Sequence, residues 1–538
     1  MTKRNRNQII LVCPANQSKG EPPIIESDYS DYPSLGLLAL GSSLLESARN
    51  RSVEIEVLYF DGALWGNEHI YDHIDKSHKN IFALGFSCFS LNFKSCLEII
   101  SYAKSKDPEI LTICGNDHFS FFYDKIMQQH RDIIDFGFCG NDVVNSFTTF
   151  MLDRFLLEDK CLEKYPGLVY CSGEQVLRNE EEPEDYFNLP MINYQFIDSL
   201  IPGSQEYYFY KQGKRYEYMG KNNYKGTVID IARGCIKYRV SESFSRISMS
   251  KCEFCSIYSG SHPIVSRSAD DAWNIMEHAY NSGYDYFFLA TDEVVLTFWP
   301  LIKKMVEQQP EWYKALKPSQ RPRMWIFSRA DGFDKNPEEK VDALLRQFYC
   351  DHINIGLDGF SEESLRIMNK GLKGSSNLLK SNFKTCELLY RNNASFSIGG
   401  VLNHIGITKE IMEKNFENIC YFINRYASHI IEYSFDYVVP MPGNRCFEYL
   451  INPSFAIEEA RRLGVEINER YLKHTRKKYE NQLYYSEKEV IEDFIRACCP
   501  GVDIPYAHNY LKRIRDVMDK NKVQFDCDML LKEGFLEE

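Results

Sequence analysis

The chain has 538 residues, room for three or more domains, and its 44% apolar and 14% aromatic content supports large cores. A net charge of −13 argues against an unassisted nucleic-acid-binding surface, and no apolar run approaches the ~20 residues of a membrane span. Seventeen cysteines without a compact framework point to a reducing cytoplasm. The basic start at Met1 leads straight into a strand and does not read as a signal peptide.

Over residues 1–150 short apolar runs read as strands at Gln8–Cys13, Val53–Phe60, Ile81–Ser87, Ile110–Gly115 and Ile133–Gly140. Between them, Pro33–Glu46, with proline in its first turn, and Asn92–Ala103 read as helices. The alternation predicts a doubly wound parallel sheet, whose ligands bind at the carboxyl ends of the strands. Small residues stand at those ends (Ser87, Gly115, Gly140) and let a bulky ring approach the backbone. His118 follows the fourth strand, where a lone histidine is more often a hydrogen-bonded loop residue than a metal ligand.

Residues 151–222 read as a connector. Tyr165–Tyr170 and Glu174–Leu177 form a hairpin around Ser172-Gly173, and Glu180–Asp185 is an acidic, solvated run. The dense tyrosines, Tyr207, Tyr208, Tyr210, Tyr216, Tyr218 and Tyr224, are expected to pin this segment to its neighbours.

From 223 to 445, strand and helix alternate about six times, which predicts a parallel barrel, whole or partial, with its active site at the carboxyl-terminal face. Polar or glycine-rich strand ends collect there: Thr291-Asp292-Glu293, Ser328-Arg329, Asp358, Gly399-Gly400 and Pro440–Gly443. The first strand ends at Arg233-Gly234, and Cys235 follows at once. Cys252 and Cys255 come after a serine-rich insert of sixteen residues, Ile236 to Lys251. Three thiols, two in C-x2-C spacing, suit a soft metal. Phe254 between the pair would shield a cluster from water. Three thiolates leave one iron of an iron–sulfur cluster open, whereas a closed structural zinc site asks for four ligands. On spacing alone an iron–sulfur cluster, a zinc knuckle completed by a distant His or Cys, and three unrelated core thiols all stay open.

Residues 446–538 read as helical, at Ile457–Leu463, Asn468–Tyr479, Glu487–Ala497 and Tyr510–Lys520, and are expected to form a substrate-recognising cap. The charge run Lys473–Lys478 reads as a solvated helix face. Cys446, Cys498, Cys499 and Cys527 are a weaker candidate for a second cluster, since adjacent cysteines rarely serve one metal.

Arg233-Gly234-Cys235 after a strand, then Cys252-Glu253-Phe254-Cys255, resembles the cluster loop of radical S-adenosylmethionine (SAM) enzymes. The usual loop is C-x3-C-x2-C, so the sixteen-residue first gap is a departure, and the insert has to bulge out for the sulfurs to converge. The resemblance implies that Cys235, Cys252 and Cys255 hold a 4Fe–4S cluster whose open iron takes SAM. It also implies SAM contacts from Phe254, from Thr291, Asp292 and Glu293 at the amino group, from Ser328 and Arg329, from Asp358 near the ribose, and from Gly399 and Gly400 beside the adenine. Met368–Gly371 and Pro440–Gly443, the latter followed by Asn444, match further turns of the family. Residues 1–150 are similar to the cobalamin-binding domain in front of many such enzymes, through Pro33–Gly36, Cys114–His118 and Cys139–Asp142. This implies cobalamin contacts from Leu35, Gly36, Ser87, Gly115, His118 and Gly140. The cobalt-ligating Asp-x-His-x-x-Gly of other cobalamin proteins is missing, since Asp61 is followed by Gly62-Ala63; a relic domain with an empty pocket is the competing reading. The resemblance spans residues 8 to 445.

What it implies is a cobalamin-dependent radical SAM enzyme. The expected activity is methylation of an unactivated carbon or phosphorus of a natural-product or peptide substrate, through a 5′-deoxyadenosyl radical. Cobalamin-assisted rearrangement or cyclisation without methylation is the alternative, and a metal- or cluster-binding sensor with a degenerate barrel is the non-enzymatic one. The implied partners are the substrate and an external flavodoxin- or ferredoxin-type electron donor, in the cytoplasm, with no nucleic acid and no membrane.

Overall fold

The computed structural model describes residues 6–16, 31–140, 142–156, 161–182, 188–216, 224–237, 251–256, 264–372, 377–479, 483, 485–522 and 524–525. The chain divides into two compact units. One is Met1–Val228 with Tyr258–His262 and Asn281–Gly283; the other is Ile229–Ile257, Pro263–Tyr280 and Tyr284–Glu538.

The first unit carries strands β1 (Gln8–Cys13), β2 (Glu56–Asp61), β3 (Ile81–Ser87), β4 (Leu111–Gly115), β5 (Phe136–Phe138), β6 (Leu168–Ser172) and β7 (Gln175–Arg178). They form one sheet in the order β2-β1-β3-β4-β5-β6-β7. The first five pair in parallel, and β6 and β7 add an antiparallel hairpin at the edge. Placing β1 between β2 and β3 reverses the direction of winding there, as a doubly wound sheet requires. The apolar runs read from the sequence are buried on both faces: Ile9 to Val12 and the whole of β3 lie inside. The structure differs from the sequence reading at Pro33, which precedes the helix Leu35–Asn50 instead of opening it. It differs again at His118, which sits in the first turn of the helix Asp117–His130. That helix begins at once after β4 because Asn116, in the left-handed region with φ 79, accepts the Asp117 amide on its own side chain.

The second sheet contains β8 (Gly226–Ile229), β11 (Tyr286–Leu289), β12 (Arg323–Arg329), β13 (Cys350–Asp358), β14 (Phe396–Val401), β15 (Ile430–Asp436) and β16 (Gln524–Phe525); β9 (Ala232–Gly234) and β10 (Ile264–Ser266) pair separately and antiparallel. Its order, β16-β15-β14-β13-β12-β11-β8, follows the chain without reversal. Each of the pairs from β11 to β16 is parallel. A sheet wound in one direction coils into a barrel, here an open one. The C-terminal segment is mostly helical: Arg445–Ile451, Pro453–Leu463, Glu469–Tyr479, Glu487–Cys498 and Ile504–Lys520. Among the described residues no helix is long and apolar enough to cross a membrane.

Candidate cluster and cofactor site

Cys235 emerges from β9 through Gly234, whose φ of 102 only glycine adopts at ease. The strand-end segment after β11 holds it from both sides. The Asp292 carboxylate accepts the Gly234 amide at 2.7 Å, and Thr297 Oγ1 accepts the Ile236 amide at 3.1 Å. Thr291 adds a bond from its hydroxyl to the Ala232 carbonyl, 3.0 Å. Glu293 is buried, and its carboxylate accepts the amides of Val295, Leu296 and Thr297 at 2.5–3.0 Å and the Ser328 hydroxyl at 3.3 Å. The residues implied by resemblance to receive SAM's amino group thus also build the socket of the first cysteine.

Cys252 and Cys255 lie on one tight turn, with the Cys255 amide bonded to the Cys252 carbonyl at 3.1 Å. Two other segments grip that turn. The Glu253 amide donates to the Met368 carbonyl at 2.9 Å, and Asn369 Nδ2 donates to the Lys251 carbonyl at 2.9 Å. From the far side, the Arg445 amide reaches the Glu253 carbonyl at 3.0 Å and Asn444 Nδ2 the Phe254 carbonyl at 3.3 Å. Beneath it runs a buried ion pair, Arg445–Glu459 at 2.9 Å. Burial pushes the Glu253 carboxyl up to about 7, against the pull of Arg445 and Tyr449.

Cations gather around the thiols. Arg329 lies in the field of Cys235 and Cys252, bidentate to Asp331 at 2.8 and 2.7 Å and donating to the Lys370 carbonyl at 2.6 Å. Lys237 feels both thiols and Lys370 feels Cys252. Burial pushes the Cys235 thiol up to about 12, with the Lys237 amide and Arg329 pulling the other way. Metal binding to a thiol displaces its proton, and the surrounding positive charge suits the excess negative charge of thiolate-ligated iron. Among the described residues no three His, Cys, Asp or Glu side chains close on a single metal ion. A cubane asks for a different arrangement, since each thiolate binds its own iron across the width of the cluster. The donor chemistry fits a cluster at this mouth. Residues 238–250 of the insert lie outside the described residues.

Asp358 ends β13 in the left-handed region, φ 57, at a register shift, and its carboxylate pairs with Lys370. Gly399 is half-buried, and a Cβ there would meet nothing closer than 3.9 Å; at Gly400 it would strike Phe360 at 2.5 Å. Ser328 is buried beside Glu293. Cys446, Cys498 and Cys499 are buried in the C-terminal region, each within the field of Glu253. Cys527 lies outside the described residues.

In the first unit the carboxyl edge of the sheet presents Ser87 opposite Gly115. The Ser87 hydroxyl accepts Asn116 Nδ2 at 2.8 Å. A Cβ at Gly36 would meet nothing within 4 Å, and at Gly115 only the Phe138 carbonyl at 3.7 Å, so both leave room for a ring against the backbone. Leu35 is half-buried beside Gly36. Gly140, φ 102, lies under the Glu181 carboxylate. His118 is 1% exposed, its Nδ1 3.0 Å from the Ser90 hydroxyl and its ring between Phe93 and Phe122. That makes it a packed imidazole. Met368–Gly371 stands out in the sequence, but its bond to the Lys251 carbonyl, the hold of Lys237 on its carbonyls and the hold of Arg445 on the Glu253 carbonyl carry no local signal, because each joins distant segments through a backbone atom.

Residues 243–416 match the Radical SAM superfamily. No curated protein matches the chain. Among solved structures, the chain is similar to the radical S-adenosylmethionine methyltransferase TsrM from Kitasatospora setae with cobalamin and a 4Fe–4S cluster bound. The match has 14% identity and a TM-score of 0.55 and covers 80% of this chain and 75% of that one. The same enzyme with tryptophan substrate and the SAM analogue aza-SAM aligns with a TM-score of 0.56 and 14% identity over 83% and 76%. The cobalamin-dependent SAM radical enzyme OxsB, with aqua-cobalamin and SAM bound, aligns with a TM-score of 0.57 and 14% identity over 96% of this chain and 67% of that one. Residues 243–416 thus match that superfamily's model, and the fold of the chain is similar to the folds of TsrM and OxsB.

Proposed function

We propose that this chain is a cobalamin-dependent radical SAM methyltransferase acting on an unactivated carbon or phosphorus of a small-molecule or peptide substrate. The observation that carries the reading is the pair of cysteine segments seated at one barrel mouth among Arg329, Lys237 and Lys370. Cys235, Cys252 and Cys255 would hold the cluster, with Phe254 screening it. Thr291, Asp292 and Glu293 would shape the place of SAM's amino group beside Ser328 and Arg329, and Asp358, Gly399 and Gly400 its nucleoside. Leu35, Gly36, Ser87, Gly115, His118 and Gly140 would frame cobalamin, with His118 supporting that edge through Ser90. When bound, these groups supply one-electron cleavage of SAM and a transferable methyl group. The protein's part is to orient the reactants and exclude water. An external flavodoxin- or ferredoxin-type donor would supply the electron.

Anaerobic reconstitution followed by iron, sulfide and cobalt counts tests the assignment. Cluster absorbance near ~400 nm and reductant-dependent SAM cleavage are expected, and both are lost in Cys235→Ala. Methyl transfer consumes SAM to S-adenosylhomocysteine as well as 5′-deoxyadenosine; rearrangement releases no S-adenosylhomocysteine. One zinc per chain with neither absorbance nor cleavage would favour the sensor.

A further inference from the structure

The sixteen-residue gap between Cys235 and Cys252 raises a physical difficulty. A spacer of sixteen residues does not by its length alone fix two sulfurs at cluster distance, since loop closure has an entropic cost that grows with length. The structure offers a device at the two described ends of the insert, Lys237 and Lys251. Lys237, two residues after Cys235, is 7% exposed, and its ammonium donates to the carbonyls of Asn369 at 2.7 Å and Gly371 at 2.6 Å. The same turn receives the returning stem: Asn369 Nδ2 donates to the Lys251 carbonyl at 2.9 Å, and the Met368 carbonyl accepts the Glu253 amide at 2.9 Å. Asn369 is in the left-handed region, φ 54, and closes the helix Glu362–Ile367, which turns these carbonyls toward the cysteine loop.

We infer that the turn Met368–Gly371 is a clasp, and that Lys237 is the positioning residue by which it sets the separation of Cys235 from Cys252 whatever the insert does. The four bonds fasten both stems of the insert to one rigid helix end. The two ends of the insert are then fixed at Lys237 and Lys251, independently of the residues between them. A buried ammonium on two carbonyls makes charge-assisted bonds stronger than neutral ones. Its charge also faces Cys235 and Cys252, with Arg329 and Arg445 as the other cations in its field. The inference rests on the cluster assignment for its purpose, but its geometry can be tested without a cluster.

The experiment uses the full chain and Lys237→Met, which keeps the aliphatic stem and removes the donor. In the metal-free protein a short bifunctional thiol reagent, dibromobimane, is added and cross-links are mapped by peptide mass spectrometry. The clasp predicts efficient bridging of Cys235 to Cys252 or Cys255 in the parent and about tenfold slower bridging in Lys237→Met, with circular dichroism unchanged. Asn369→Ala should slow it likewise. Equal bridging in the parent and both variants, or no bridging in the parent, overturns the clasp. The reconstituted proteins give the second readout: loss of iron to a ferrous chelator is expected about tenfold faster in Lys237→Met. A parent that bridges normally but takes up no iron and sulfide sinks the cluster assignment and leaves the clasp standing. A parent that holds its cluster no more firmly than Lys237→Met sinks the clasp and leaves the assignment.

Discussion

Glu293 separates two accounts of the segment after β11. If the carboxylate exists only to meet SAM, removing it leaves the ligand-free chain as stable as before. The structure instead gives it three backbone donors, the amides of Val295, Leu296 and Thr297, and the Ser328 hydroxyl. In Glu293→Ala the Val295 amide stays buried and unpaired, at about 1–3 kcal/mol. Leu296 and Thr297 are half-buried, so water recovers part of theirs. Adding the lost charge assistance gives a total of about 4 kcal/mol. For a unit of about 300 residues that lowers the melting temperature by roughly 6 °C. Glu293→Gln keeps one acceptor oxygen and should lose about half as much. The assay is thermal unfolding of the ligand-free protein, following the transition assigned to the second unit by limited proteolysis. A Glu293→Ala protein that melts within about 2 °C of the parent refutes the scaffold role.

Adjacent glycines should behave oppositely. Gly400→Ala drives a Cβ to 2.5 Å from Phe360 and 2.7 Å from Phe435, and should destabilise by about 1–3 kcal/mol in chemical denaturation. Gly399→Ala finds 3.9 Å of clearance and should leave stability within about 0.5 kcal/mol, while weakening SAM binding measured by calorimetry; tight SAM binding in Gly399→Ala would remove Gly399 from the site. His404 is buried, bonded to the Ile405 carbonyl at 2.8 Å and Ser364 at 3.1 Å, and burial lowers its pKa from 6.5 to about 4. Its unfolded form takes a proton first, so its contribution is present above pH 6.5 and is lost as pH falls toward 4. That difference is about 3 kcal/mol, so stability should drop less over this interval in His404→Gln than in the parent; parallel pH profiles would refute it. Glu459→Ala leaves Arg445 buried without its 2.9 Å partner and should remove about 3–5 kcal/mol from the second unit, read by urea unfolding; a loss below about 1 kcal/mol would show that the pair is not isolated from water.

Much of the architecture was legible before any coordinates. Runs such as Ile9–Val12 and Ile81–Ser87 are continuous apolar segments too short for helices, and the doubly wound sheet follows from their alternation with helical stretches. The cysteine spacing and the order of polar strand ends were equally readable, since chain order along a singly wound sheet is also spatial order. Tertiary structure decided the partners. Local pattern cannot say that Glu293 spends its carboxylate on three amides, that Asp358 pairs with Lys370, or that His118 is walled in by Phe93 and Phe122. Nor can it say that Lys237 and Lys251, fourteen positions apart, meet one turn more than a hundred residues away. Periodicity is a property of neighbours along the chain and survives in the sequence. A hydrogen bond between distant segments depends on how whole strands and helices stack, and appears only once the packing has closed.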